Sequence, residues 1–160
     1  MTDDAPDDAQ QARRGSGASP RNVAMNLLAR REHAVAELCS KLAARGFSPE
    51  DIDAAVAKLA AEGLVSDDRF AESFVASRMR KGHGPVRIRM DLQQRGVSPE
   101  LIDMHLDPRS PEWRRLACEV RVKKFGDGIP AEFKERARQM RFLEYRGFSS
   151  AHIRSAMEDD

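Results

Sequence analysis

Apolar residues along this chain recur at intervals of three and four, and they show no sustained alternation with polar ones. That periodicity predicts helices and no strands. Val35, Leu38 and Leu42 mark one stripe, on a helix expected from about Arg31 to Arg45. Ile52, Ala55, Val56 and Leu59 mark the next, on a helix that follows Ser48 and stops at Gly63. Phe70, Ala71, Phe74 and Val75 form a third behind the start signal Ser66-Asp67-Asp68. Ile88 and Leu92 face inward on a helix opened near Pro85, with Arg87 and Asp91 spaced to pair at i, i+4. Trp113, Leu116, Ala117 and Val120 line a longer helix after Ser110-Pro111. Four further helices complete nine: one from Ser19-Pro20 through Leu28, one from Ser98 to about Leu106, one ending near Arg146 and one ending near Met157.

The corners between these helices repeat. Arg45-Gly46-Phe47-Ser48-Pro49-Glu50 returns as Arg95-Gly96-Val97-Ser98-Pro99-Glu100, and in weaker form as Arg146-Gly147-Phe148-Ser149-Ser150. The glycines are 50 and 51 residues apart. Each glycine suits the left-handed position that ends a helix. Each first serine suits an N-cap, and proline after it the first helical position. A period of this size marks one supersecondary unit copied in tandem. The expected fold is all-α, three tandem three-helix repeats forming an elongated, curved array. The expected domains are a polar tail over 1–18 and repeats over 19–63, 64–107 and 108–160. The third corner lacks the proline and acidic residues of the first two.

Charge changes the picture more than composition does. The net charge is +1, but residues 1–77 carry −4 and residues 78–160 carry +5. A basic second half suggests an acidic partner. The strongest local cluster is Arg78-Met79-Arg80-Lys81-Gly82-His83-Gly84-Pro85-Val86-Arg87-Ile88-Arg89, with five fixed positive charges and no acid. Its two glycines would let backbone approach a ligand closely, and its cations suit phosphates or carboxylates. Lys134, Arg138 and Arg141 share one helix face with Tyr145, and Arg114 and Arg121 lie seven apart ahead of Lys123-Lys124.

Several functions lack residues to carry them. Gly82-His83-Gly84 is too short for a phosphate loop and follows no strand. His33, His83, His105 and His152 have no metal-ligand spacing, and are expected on the surface or half-buried. Asp67 and Asp68 are explained by a helix start. Cys39 and Cys118 are expected to be reduced core thiols, and the phenylalanines, Phe133 among them, core residues. No catalytic residue, metal or cofactor is expected, and no apolar run is long enough to span a membrane. The acidic first residues do not resemble a signal peptide.

Leu64-Val65-Ser66-Asp67-Asp68-Arg69-Phe70-Ala71 resembles the signature of a bacterial regulatory family, RecX. Gly82-His83-Gly84-Pro85-Val86-Arg87-Ile88 resembles that family's next element, although His83 stands where an aromatic is frequent. Arg31-Glu32-His33 and the Leu38, Leu42, Arg45-Gly46 run look like the opening of its first unit. The resemblance implies three three-helix repeats and a cytoplasmic, non-enzymatic negative regulator of the RecA recombinase. It implies binding along the RecA–single-stranded DNA filament and inhibition of ATPase, strand-exchange and co-protease activities, and so effects on recombination, DNA repair and the SOS response. The expected contacts are Arg78, Arg80, Lys81, His83, Arg87, Arg89 and Arg95 in the middle unit. In the third they are Arg114, Arg121, Lys123, Lys124, Lys134, Arg138 and Arg141. Weak contact with single- or double-stranded DNA belongs to this expectation, as does a monomer. The alternative is a sequence-independent DNA-binding protein with an indirect effect on recombination.

Overall fold

The computed structural model of the chain describes residues 18–158. Most of the expected tail lies outside the described residues. The described chain is all-helical: α1 Pro20–Arg30, α2 Val35–Ala44, α3 Pro49–Ala61, α4 Asp67–Arg80, α5 Pro85–Gln94, α6 Pro99–His105, α7 Pro111–Phe125, α8 Phe133–Tyr145 and α9 Ser150–Ala156. It divides into two compact units, one through Asp67 and one from Asp68.

The repeated corners are built alike. Gly46, Gly96 and Gly147 hold φ of +88°, +81° and +98°. At each, the amide after the glycine donates to a carbonyl five residues back, Phe47 to Leu42 at 3.4 Å, Val97 to Leu92 at 3.1 Å and Phe148 to Leu143 at 3.1 Å. The glycine's own amide closes the inner bond, and together these satisfy carbonyls that a helix end would leave bare. Ser48, Ser98 and Ser149 then cap the next helix through Oγ, accepting from Asp51, Leu101 and His152 amides at 3.2, 3.3 and 3.3 Å. The third corner keeps this cap without the proline.

In the first unit α1, α2 and α3 pack on one another around Leu38, Leu42, Ile52, Val56 and Leu59. Full burial of each such side chain stabilises by about 1.5–3 kcal/mol. The helix expected from Arg31 begins only at Val35. Arg31 is extended, with its guanidinium forked onto Glu37 at 2.9 and 3.0 Å. Ala34, at the N-cap, has no side-chain acceptor to offer. The Val35 amide donates to Asp67 Oδ1 at 2.7 Å instead. Cys39 is half-buried against this core as a free thiol, its pKa raised by burial and by the nearby carboxylates of Asp53 and Asp67.

His33 departs from the expected exposure: it is 1% exposed. Its Nδ1 lies 3.0 Å from the Arg31 carbonyl and its Nε2 2.9 Å from Lys41 Nζ. A carbonyl only accepts, so Nδ1–H donates and Nε2 accepts from the ammonium. Protonation would set an N–H against Lys41. Burial above all lowers the pKa, and the Arg31 and Lys41 charges add to it. A depressed folded pKa means the unfolded chain takes up a proton more readily. The stability tied to neutral His33 is therefore complete above the ordinary histidine value of about 6.5 and is lost as pH falls through the lowered folded value. Urea unfolding midpoints should fall between neutral pH and about pH 5. His33→Gln should make that fall shallower.

In the second unit α7 and α9 pack together and α8 lies against both, around Ala117, Leu143, Phe148, Ile153 and Ala156. Phe70, Ala71, Phe74 and Val75 are buried on α4, and Ile88 and Leu92 on α5, as their spacing predicts. Asp68 meets His105 Nε2 at 2.7 Å, tying the start of α4 to the end of α6. The acidic pair thus has two structural partners, Val35 for Asp67 and His105 for Asp68. Arg87 does not pair with Asp91; its guanidinium lies 5.8 Å from the centre of the Tyr145 ring. Phe133 is not a core residue. It opens α8 and is 83% exposed. No described helix is long and apolar enough to cross a membrane.

Candidate partner-binding surface

The basic cluster begins in the last turn of α4. Gly82, with φ of +79°, ends that helix, and the His83 amide donates back to the Arg78 carbonyl at 3.0 Å. The chain then runs directly into the third repeat. The Gly84 amide donates to the Arg146 carbonyl at 2.8 Å, and the Val86 amide to the Gly147 carbonyl at 2.9 Å. A Cβ on Gly84 would lie 2.4 Å from the Gly147 carbonyl carbon and oxygen. One on Gly147 would lie 2.2 Å from Arg87 Cβ. The close approach that these glycines permit is thus to the chain's own third corner.

His83 sits inside this joint and is buried, again contrary to its expected exposure. Its Nδ1 has no hydrogen-bond partner among the described residues. Burial lowers its pKa first, and the charges of Arg87, Arg78 and Arg146 lower it further. It packs as a neutral residue, 8% exposed.

The arginines of the middle repeat are mostly engaged within the fold. Arg78 and Arg95 lie 4.7 and 4.8 Å from the centre of the Phe74 ring, a contact that holds each cation against an apolar face. Arg89 pairs with Asp103 at 2.5 Å. Arg80 and Lys81 are exposed, and no carboxylate among the described residues pairs with them.

Arg121 is the largest departure. Its seven-residue spacing from Arg114 suggests a shared outer face. On α7, however, the buried residues are Trp113, Ala117 and Arg121, at i, i+4 and i+8. Arg121 is 4% exposed, and its guanidinium donates to the carbonyls of Ala156, Asp127, Gly128 and Gly126 at 3.0, 3.1, 3.2 and 3.4 Å. It also meets Gln139 Oε1 at 3.4 Å. Five acceptors surround the guanidinium, one at Nε, three at Nη1 and one at Nη2, so Arg121 holds the α7–α8 connection and the end of α9 in place of any partner.

Arg114, Lys123, Lys124, Lys134, Arg138 and Arg141 do face outward. Arg138 pairs with Glu135 at 3.4 Å. The structure gathers Arg80 and Lys81 of the middle repeat with Lys123 and Lys124 of the third around one cleft, and Lys134 and Arg141 lie outside its lining. It adds Arg146, which sequence spacing alone did not single out. Arg146 Nη1 donates to the Lys81 carbonyl at 3.0 Å, and its guanidinium lies 5.2 Å from the centre of the Phe142 ring. Its place before the third corner glycine was the available signal. Among the described residues, no group of three or more His, Cys, Asp or Glu side chains could hold a metal.

Comparison with known proteins agrees with this architecture. Family models described as the first, second and third three-helix domains of RecX match residues 21–59, 66–106 and 112–157. The Regulatory protein RecX of Chromohalobacter salexigens is 48% identical over 140 residues, spanning 88% of this chain and 91% of that one. That of Halorhodospira halophila is 46% identical over 144 residues, 88% of this chain and 89% of that one. The crystal structure of RecX from Lactobacillus salivarius superposes with a TM-score of 0.72 at 19% identity, over 86% of this chain and 92% of that one. Three matched domains in order, and full-length relatives at nearly half identity, establish that the chain belongs to the RecX family.

Proposed function

We propose that this chain is a negative regulator of the RecA recombinase that binds along the RecA–single-stranded DNA filament. It inhibits the filament's ATPase, strand-exchange and co-protease activities, and thereby recombination, repair and the SOS response. It acts in the cytoplasm as a monomer and carries out no catalysis. One observation supports this most: exposed cations from two repeats, Arg80, Lys81, Lys123 and Lys124, converge without an internal carboxylate partner. Such a cluster lowers its self-repulsion by meeting an acidic surface. The names of its relatives, Regulatory protein RecX, agree with a regulatory part.

A binding protein changes a polymer's activity only if it prefers one of the polymer's states. An active filament fixes neighbouring subunits in one geometry around DNA. A chain of repeats that contacts more than one subunit can favour another geometry, or occupy the space a second duplex must enter.

Wild-type protein added to RecA on single-stranded DNA should suppress ATP hydrolysis, and should co-sediment with the filament. Replacing Arg80, Lys81, Lys123 and Lys124 together by alanine should weaken inhibition by about tenfold. Raising salt should weaken the wild type in the same direction. Full ATPase activity at saturating wild-type protein would overturn the proposal. Equal binding to naked single-stranded DNA and to the filament would favour a DNA-binding protein with indirect effect.

A further inference from the structure

We propose that the cleft between α4, α7 and α8 is a docking site for an acidic protein segment carrying an apolar side chain. This deepens the preceding reading by naming what the partner presents to the cations, and it rests on a protein partner being present. The cleft encloses about 380 Å³, within the range of sites that bury a ligand group. Its floor is apolar, made by Leu116, Val120, Met79 and Phe142. Its rim carries Arg80, Lys81, Lys123, Lys124 and Arg146, and Glu119 is the one carboxylate in the lining.

Two features argue for an anionic occupant. No carboxylate among the described residues pairs with any of the five rim cations. Arg80 closes α4 with Lys81 just beyond it, and Lys123 and Lys124 lie in the last turn of α7. A helix end favours nearby cations, but like charges gathered at one cleft still repel one another, and an anionic occupant relieves that repulsion. The rim is also partly fixed before any ligand arrives. Arg146 is tied to the Lys81 carbonyl, and its own carbonyl receives the Gly84 amide at 2.8 Å.

Two more features argue for a peptide over nucleic acid. Stacking a base requires a free aromatic face. The Phe142 ring already has the Arg146 guanidinium at 5.2 Å, the Lys124 ammonium at 5.7 Å and the Phe125 ring edge-on at 5.3 Å. A phosphodiester backbone has nothing to set against Leu116 and Val120. A leucine or phenylalanine flanked by Asp and Glu satisfies floor and rim together. Apolar anchors of this kind carry most of the affinity of peptide docking, and the charges set its specificity.

The test uses the full chain and a fluorescein-labelled peptide, Glu-Asp-Leu-Phe-Glu-Asp. Fluorescence anisotropy should show saturable binding. Exchanging Leu-Phe for Ser-Ser should weaken it at least about tenfold, as should Lys123→Glu with Lys124→Glu. Amide shifts of the wild type on adding peptide should centre on Lys81, Gly82, Val120 and Phe142, a readout that needs no variant. No peptide binding, or equal binding of the Ser-Ser peptide, would overturn the proposal. So would a short oligothymidylate that moves the same amides at lower concentration. Inhibition of RecA by wild type without peptide binding would sink the cleft alone. Peptide binding without inhibition would keep the cleft and sink the reading of the previous subsection.

Discussion

Gly84→Ala should lower the stability of the second unit by about 3 kcal/mol or more. The new methyl carbon would lie 2.4 Å from the Gly147 carbonyl and 2.5 Å from the Phe148 nitrogen. Those are backbone atoms of a neighbouring corner, so no rotamer change can make room. Parting the two strands of chain also breaks the amide bonds from Gly84 and Val86 at 2.8 and 2.9 Å. Hydrogen exchange should show protection lost in α8 and α9, while the Leu38 and Leu42 amides of the first unit keep theirs. Gly128→Ala is the matched control, since nothing stands within 4 Å of its added carbon. Its effect should stay within about 0.5 kcal/mol. Equal, small effects of the two alanines would refute the interlocked joint.

Arg121→Met should cost about 3–4 kcal/mol. It keeps the hydrocarbon stem and deletes the donors, leaving the Ala156 carbonyl, Gln139 Oε1 and the carbonyls of Gly126, Asp127 and Gly128 to find others. Arg121→Lys should restore only part of the loss, because one ammonium cannot fork across carbonyls on separate segments. The chain's only tryptophan, Trp113, lies two turns away on the same buried stripe. Its fluorescence gives the unfolding midpoint directly. A wild-type midpoint in Arg121→Met would mean that the five contacts carry no net stability.

The helices and their corners were legible because each rests on short-range chemistry. Gly46, Gly96 and Gly147 with their following serines write the whole turn within six residues, and the structure reproduces it three times. The start of α2 was not legible, because its cap comes from Asp67, 32 residues further on. The role of Gly84 was misread for the same reason: the backbone it admits belongs to a repeat more than sixty residues away. Arg121 was different. Trp113 and Ala117 already defined its stripe at i, i+4, so its burial could have been read from α7 alone. Spacing from Arg114 drew attention to the wrong face. Of the cations around the cleft, sequence named Arg80, Lys81, Lys123 and Lys124 but neither Arg146 nor which of them meet, since residues of α4 and α7 come together there only in the folded chain.

Asp67 capping α2 also sets an order of events during synthesis. While the ribosome is still making the turn after α3, the Val35 amide has no acceptor, and a cap of this kind contributes about 1 kcal/mol. The first three helices complete their own termini only once the opening residue of the fourth has emerged. A fragment intended to fold by itself must therefore extend through Asp67, since one cut at Gly63 would leave α2 frayed at its leading end.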